Sequence, residues 1–307
     1  MKRGRRKNKY TTKQMYWCKD CQKKFIQKDG FENMTYPPEL ITKVLHLRAE
    51  GMSLAGIRDY IYQHEGNYLY DSTILYWTKK YAKRLSQYEE KQKPKIKGKV
   101  HVDEIFLKVK GKQAYDINAI DGGSGYNLGR KLTKHRSKDV VREFFRRFKI
   151  RFYDQIMERY KREKRKPVKE RDLITIVTDG FEGYRDAFDR YLSRVCKLVY
   201  GVPIACKKYG LDHNNNPAER YNEDIRQRSK ISRGFESMEP TDATLELRRI
   251  VHNFARLRRK RGGEPREWRE TPAKRAGIKL ELGRGRLMTL INFLLSLAPR
   301  SLWLYRC

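Results

Sequence analysis

Three acidic residues stand in settings suited to phosphoryl-transfer chemistry. Asp103 lies in His101-Val102-Asp103-Glu104, inside a run that alternates apolar and polar residues. Asp179 follows the Ile- and Val-rich run Leu173 to Thr178 and precedes Gly180. Glu219 belongs to Asn214-Asn215-Asn216-Pro217-Ala218-Glu219-Arg220. Two-metal phosphoryl transfer needs carboxylates that converge from separate elements on two divalent ions about 3.5–4 Å apart. Oxygen ligands favour hard cations, so Mg2+ is the expected ion, with Mn2+ as a substitute. Asn216 suits a helix cap and Pro217 a first helical turn, which places Glu219 at the start of a helix. Arg226, seven residues and two turns later, falls on the same face and can meet a phosphate oxygen.

Neighbouring acids compete for these roles. Strand alternation sends Glu104 to the face opposite Asp103. Asp121 ends the next strand and suits turn capping. Glu223 shares the face of Glu219, one turn on, and His213 precedes the asparagines without an evident partner.

The elements that must position these acids are legible as patterns. Val100–Val109 alternates as a strand, Ala114–Ile120 repeats the pattern after Gly111, and Tyr126–Leu132 follows the turn Gly122–Gly125, giving an antiparallel meander. Ser137 can cap a helix carrying Val140, Val141, Phe144, Phe145 and Phe148. A basic insertion at 159–171 follows, then the strand Leu173–Thr178 and a helix around Tyr184–Leu192. Strand, strand, strand, helix, strand, helix matches the α/β ribonuclease H-like fold, a mixed sheet flanked by helices, here expected over residues 99–260.

Upstream, residues 36–90 read as helical. Leu40, Ile41, Val44, Leu45 and Leu47 share a face before Gly51, Ser53 caps a second helix, and a third starts near Asp71 with Ile74, Leu75, Trp77 and Tyr81 as its apolar side. Three such helices suggest an N-terminal helix-turn-helix domain. Its last helix would enter the major groove, with Ser72, Thr73, Tyr76, Lys79, Lys80 and Lys83, followed by Arg84, on the polar face. Residues 1–30 are basic and contain Cys18 and Cys21, spaced as one knuckle of a zinc ribbon. A structural Zn2+ site needs four ligands, so these two cysteines supply half a site, and the choice between a knuckle completed elsewhere and two free thiols stays open.

Composition points to a polyanionic partner. The 307 residues hold 71 Lys and Arg against 37 Asp and Glu, a formal charge of +34 spread along the whole chain. Nucleic acid neutralises such an excess and gains salt-sensitive affinity by releasing counterions. The basic N-terminus lacks a following apolar core, so no export signal is expected and the chain is read as cytoplasmic and DNA-associated. Five scattered cysteines do not suggest a disulfide framework. The tail, 261–307, contains the uncharged run Leu287–Pro299, too short for the roughly 20 residues that span a bilayer, and it reads as a buried or partner-packing helix with no membrane role.

Taken together, Asp103, then Asp179-Gly180, then Asn-Asn-x-Pro-Ala-Glu-Arg with Arg226 beyond it, resemble the DDE insertion-sequence transposases with an integrase-type core. The segment Arg233-Gly234-Phe235-Glu236-Ser237 is similar to the Arg-Gly-Phe segment that follows the last acid in relatives of that kind, and the cysteine knuckle and helix-turn-helix fit members with a ribbon before the core. The resemblance implies Asp103, Asp179 and Glu219 as catalytic metal ligands, and it is what selects Glu219 over Glu223. It implies cleavage of double-stranded DNA at transposon terminal repeats, then attack of the freed 3′ hydroxyl on target DNA, in a homodimer or higher oligomer. Two rivals are a ribonuclease H-like nuclease without strand transfer and a catalytically inactive DNA-binding regulator.

Overall fold

The computed structural model describes residues 1–26, 29–201, 215–231, 235–257 and 269–296. In chain order its elements are β1 (Lys2–Lys7), β2 (Thr12–Trp17), β3 (Lys24–Ile26), α1 (Pro38–Ala49), α2 (Leu54–Glu65) and α3 (Asp71–Lys91). Then come β4 (Val100–Val109), β5 (Lys112–Asp121), β6 (Asn127–Thr133), α4 (Lys138–Arg151), α5 (Tyr153–Glu163), β7 (Ile174–Thr178), α6 (Glu182–Tyr191) and β8 (Cys196–Tyr200). The last are α7 (Asn216–Ile231), α8 (Met238–Ile250), α9 (Pro272–Arg275) and α10 (Arg286–Ser296).

The chain divides into two compact units. One comprises Met1–Lys91 with Glu281–Cys307, and the other Gln92–Leu280. In the first, β1, β2 and β3 form an antiparallel sheet whose β2–β3 turn carries Cys18 and Cys21, both half-buried. Helix α2 begins where Ser53 Oγ accepts from the Gly56 amide at 3.0 Å, satisfying one of the amides a helix start leaves open. It ends at Gly66, whose φ of 64° is the left-handed cap that glycine adopts without Cβ strain. Ile41, Leu45, Ile57, Ile61, Ile74, Trp77 and Tyr81 are buried. Helix α10 packs on α1 and α3 within this unit, with Leu287, Leu290 and Ile291 buried. Gly30 has φ +88°, and a Cβ there would stand 2.8 Å from Ile291 Cγ2, so this turn admits only glycine without rearrangement. Among the described residues no helix is long and apolar enough to cross a membrane.

The second unit is a five-stranded mixed sheet in the order β6-β5-β4-β7-β8. β4, β5 and β6 form the antiparallel meander, while β7 and β8 run parallel to β4. One face carries α7, whose Ala218, Tyr221 and Ile225 pack with Ile105 and Leu107 of β4 and Leu245 of α8. Helices α4 and α6 pack on each other, with the Phe145 and Tyr184 rings 6.2 Å apart. This is the helix-flanked mixed sheet expected of a ribonuclease H-like core.

Differences from the sequence reading fall where pattern is weak. The first five residues of the basic insertion, 159–163, belong to helix α5, which is amphipathic enough to bury Ile156, with Phe152 buried just before its start. Strand β8, with the short run Cys196–Tyr200, carries no turn signal before it and gains its place only by pairing with β7. The helix cap at Asn216 moves one residue: the Ala218 and Glu219 amides both donate to the Asn215 carbonyl at 3.0 Å, and Asn216 is the first helical residue. His213, Asn214, Arg233 and Gly234 lie outside the described residues.

Candidate active site

The parallel register of β4 and β7 places two of the acids side by side. Val100 pairs with Ile176 and His101 with Val177, so two residues further along Asp103 stands level with Asp179, where β7 has just ended. From Val102 to Lys108 no strand pairs with that edge of β4 among the described residues. The gap lies at the carboxyl end of parallel strands, where open α/β sheets form their binding crevices. Asp103, Glu104 and Asp179 each direct a carboxylate oxygen into it, all within 4.8 Å of one another.

Glu104 belongs to this group although strand alternation sends it to the other face. Asp103 meets α7, where Asn222 Nδ2 donates to Asp103 Oδ2 at 2.9 Å. Glu104 meets α6, where the buried Tyr184 hydroxyl donates to its Oε2. The unpaired edge lets carboxylates from the two faces turn toward one gap, which alternation alone does not anticipate.

Arg136, from the segment between β6 and α4, bridges Glu104 and Asp179, reaching Asp179 Oδ2 at 2.9 Å. Its guanidinium lies 3.9 Å from the centroid of the Phe181 ring, and the Phe181 amide donates to Asp179 Oδ1 at 3.0 Å. Burial, then the neighbouring Glu104 charge, push the Asp103 carboxyl up to about 7 against the pull of its hydrogen bonds. Burial likewise raises Glu104, opposed by Tyr184 and Arg136. Carboxylates crowded in this way repel one another and favour a cation among them. The buried Asn222 Oδ1, which has no hydrogen-bond partner among the described residues, adds a hard oxygen donor beside Asp103. The donor set therefore fits an oxygen-liking divalent ion.

Glu219 is exposed on the first turn of α7 and stands outside the three-carboxylate group. It precedes Asn222 by three residues, a spacing that puts neighbouring side chains on one helix face, and Asn222 touches Asp103. Arg226 is exposed and pairs with Glu223 at 2.6 Å. Asp121 is fully buried and accepts from the Ser124 amide at 2.8 Å and the Gly98 amide at 2.8 Å, holding the turn after β5. In the other unit Ser72 and Tyr76 are exposed at the start of α3, Thr73, Lys79 and Lys80 half-buried, and Lys83 exposed. Sequence reasoning passed over Glu104, Arg136, Tyr184 and Asn222. Glu104 stood out as the acid next to Asp103 but was set aside by alternation, and Asn222 left only its three-residue distance from Glu219 as a trace.

Comparison with known proteins gives this geometry a family. The family model of the IS240-type transposase DDE domain matches residues 97–258, more than half of the chain. The transposase for insertion sequence-like element IS431mec of Staphylococcus aureus is 33% identical over 87 residues. The transposase for insertion sequence element IS257 in transposon Tn4003, also from Staphylococcus aureus, is 33% identical over 87 residues. Each match covers 28% of this chain and 38% of the relative, so the chain aligns with well under half the length of these relatives. Among solved structures, the simian T-cell lymphotropic virus intasome in complex with PP2A regulatory subunit B56 gamma matches with a TM-score of 0.34 and 10% identity, over 78% of this chain and 74% of that one. The catalytic domain of Mos1 mariner transposase matches with a TM-score of 0.24 and 10% identity, over 58% and 91%. The family model covers the strand that carries Asp103, the strand that Asp179 follows and the helix that carries Glu219, and the chain belongs to the IS240-type family of DDE-domain transposases.

Proposed function

We propose that this chain cleaves double-stranded DNA at the ends of its own element and joins the freed 3′ ends to target DNA, with Asp103, Asp179 and Glu219 as the metal-binding catalytic acids. The observation that carries the reading is the meeting of Asp103 and Asp179 at the unpaired edge of β4, with α7 docked against Asp103 through Asn222. Bound divalent ions, Mg2+ in the first instance, would polarise the reacting phosphate and lower the charge cost of an in-line displacement at phosphorus. The chain's own groups do the positioning. Asn222 fixes the Asp103 carboxylate, the Phe181 amide fixes Asp179, and Tyr184 holds Glu104 in place. Arg136 neutralises part of the acidic charge until a cation shares it.

Arg226 and the polar face of α3, comprising Ser72, Thr73, Tyr76, Lys79, Lys80 and Lys83, are the proposed DNA contacts, and residues 36–90 the proposed helix-turn-helix domain. Synapsis of two element ends asks for at least a dimer. Zn2+ at Cys18 and Cys21 requires ligands from elsewhere and takes no part in this reading.

The test incubates labelled DNA from the ends of the element with the protein, Mg2+ and a target plasmid, beside Asp103→Asn, Asp179→Asn, Glu219→Gln and Glu104→Gln. Joined products are expected from the wild type and none from Asp103→Asn, Asp179→Asn or Glu219→Gln. Cleavage without joining would make the chain a nuclease, and binding alone a regulator. If Glu219→Gln joins strands and Glu104→Gln does not, the third acid is Glu104.

A further inference from the structure

The N-terminal unit holds a second concave site, walled by aromatic rings in place of carboxylates. A cavity of about 300 Å³ opens where α3 begins, with Asn33 and Tyr36 of the segment before α1 on one side and Ser72, Thr73, Tyr76 and Trp77 on the other. Its walls are braced from behind. Tyr10 stacks on Tyr36 with centroids 4.5 Å apart, and Tyr36 meets Trp77 edge to face at 5.3 Å. Beside the opening the rings are uncovered: Tyr76 is 54% exposed and Tyr70 64%, and Tyr70 packs edge to face against Tyr68 at 5.3 Å. The backbone of Tyr68 is tied to this wall by the Tyr36 hydroxyl, which donates to the Tyr68 carbonyl at 3.4 Å. Exposed rings in such density mark a surface that meets a partner.

Size, chemistry and charge together choose the partner. The volume is at the small end of ligand cavities, room for a single planar ring system. Aromatic walls offer faces for stacking, and Ser72, Thr73 and Asn33 offer hydrogen-bonding groups at the edge. The Lys80 ammonium lies 5.4 Å from the Tyr76 ring centroid, and Lys79 and Lys83 follow at helical spacing on α3, placing positive charge along the line a phosphate backbone would take. In a duplex each base shows only its edges, because its faces are covered by stacked neighbours, whereas an unpaired base presents a face to a ring and its pairing edge to polar groups.

We propose that this cavity captures one unpaired base of the DNA substrate, at a single-stranded end or an opened step. The proposal rests on the reading that DNA is the substrate, and goes beyond groove recognition by α3: the helix start would tell a frayed or nicked end from intact duplex.

The test titrates the full chain with three labelled probes of one sequence: a blunt duplex, the same duplex with two unpaired 3′ nucleotides, and the single strand. A 2-aminopurine at the unpaired position reports stacking by loss of fluorescence. The expected result is about tenfold tighter binding of the overhang probe than of the blunt one, with quenching. Tyr76→Ala should bring the ratio of the two affinities close to one, and Tyr76→Phe should keep it. Because Tyr76 is exposed, neither change should alter the melting transition. Equal affinity of the wild type for blunt and overhang probes overturns the proposal, as does a ratio that survives Tyr76→Ala. Failure to bind any of the three overturns the DNA reading along with it.

Discussion

Asp103 shows how little a residue's identity says without its neighbours. Any of the 37 acids in the chain has the right functional group. What sets Asp103 apart is burial and the Glu104 charge beside it, which push its carboxyl up to about 7, and the Asn222 amide, which opposes that rise and orients one oxygen. Asn222 acts through Asp103 and so has a positioning role. Groups that orient metal ligands are typically worth about 10–100-fold in metal affinity or activity. Asn222→Ala is therefore expected to weaken Mn2+ binding to the free protein by about that factor, read by calorimetry or by the spin signal of free Mn2+. Unchanged Mn2+ affinity would remove Asn222 from the site.

Elements position these residues through packing that carries polar groups as well as apolar ones. Asp116 of β5 is fully buried, and burial pushes its carboxyl up while the guanidinium of Arg130 pulls it down. Arg130 gives Asp116 Oδ1 its Nη2 at 2.7 Å and its Nε at 3.0 Å, and turns its Nη1 to Asp242 of α8 at 2.8 Å. This pair ties the meander to α8 and fixes the sheet on which β4 presents Asp103. Removing one partner of a buried ion pair leaves an uncompensated charge, at a cost of about 3–5 kcal/mol. Asp116→Ala should lower the unfolding free energy of the catalytic unit by that amount, followed by urea denaturation. A loss below about 1 kcal/mol would mean that Asp242 and Glu246 compensate Arg130 without Asp116.

At the scale of the whole molecule, the charge of +34 makes any DNA complex depend on counterion release. If the proposed DNA contacts neutralise about 6–10 phosphates, affinity should fall by roughly 10³–10⁵-fold between about 50 and 200 mM salt. Fluorescence anisotropy of a duplex at several salt concentrations measures the slope. A flat dependence would show that the basic surface serves something other than the phosphate backbone.

The sequence alone determined the alternation of β4, the meander, the Ser53 and Ser137 caps and the placing of Asp103 within the first strand of the meander and Asp179 at the end of β7, because these depend on local periodicity and backbone chemistry. Resemblance to a family, and no physical feature of its own, singled out Glu219. Tertiary structure alone decided which groups share the cleft. Arg136 and Tyr184 are 32 and 80 residues from Glu104 in the chain, and no local pattern encodes a contact of that span. Glu104 entered the cleft because β7 ends at Thr178 while β4 runs on to Val109. That leaves an open edge where acids from both faces of one strand reach the same space, a consequence of strand lengths and register that two-residue periodicity cannot express.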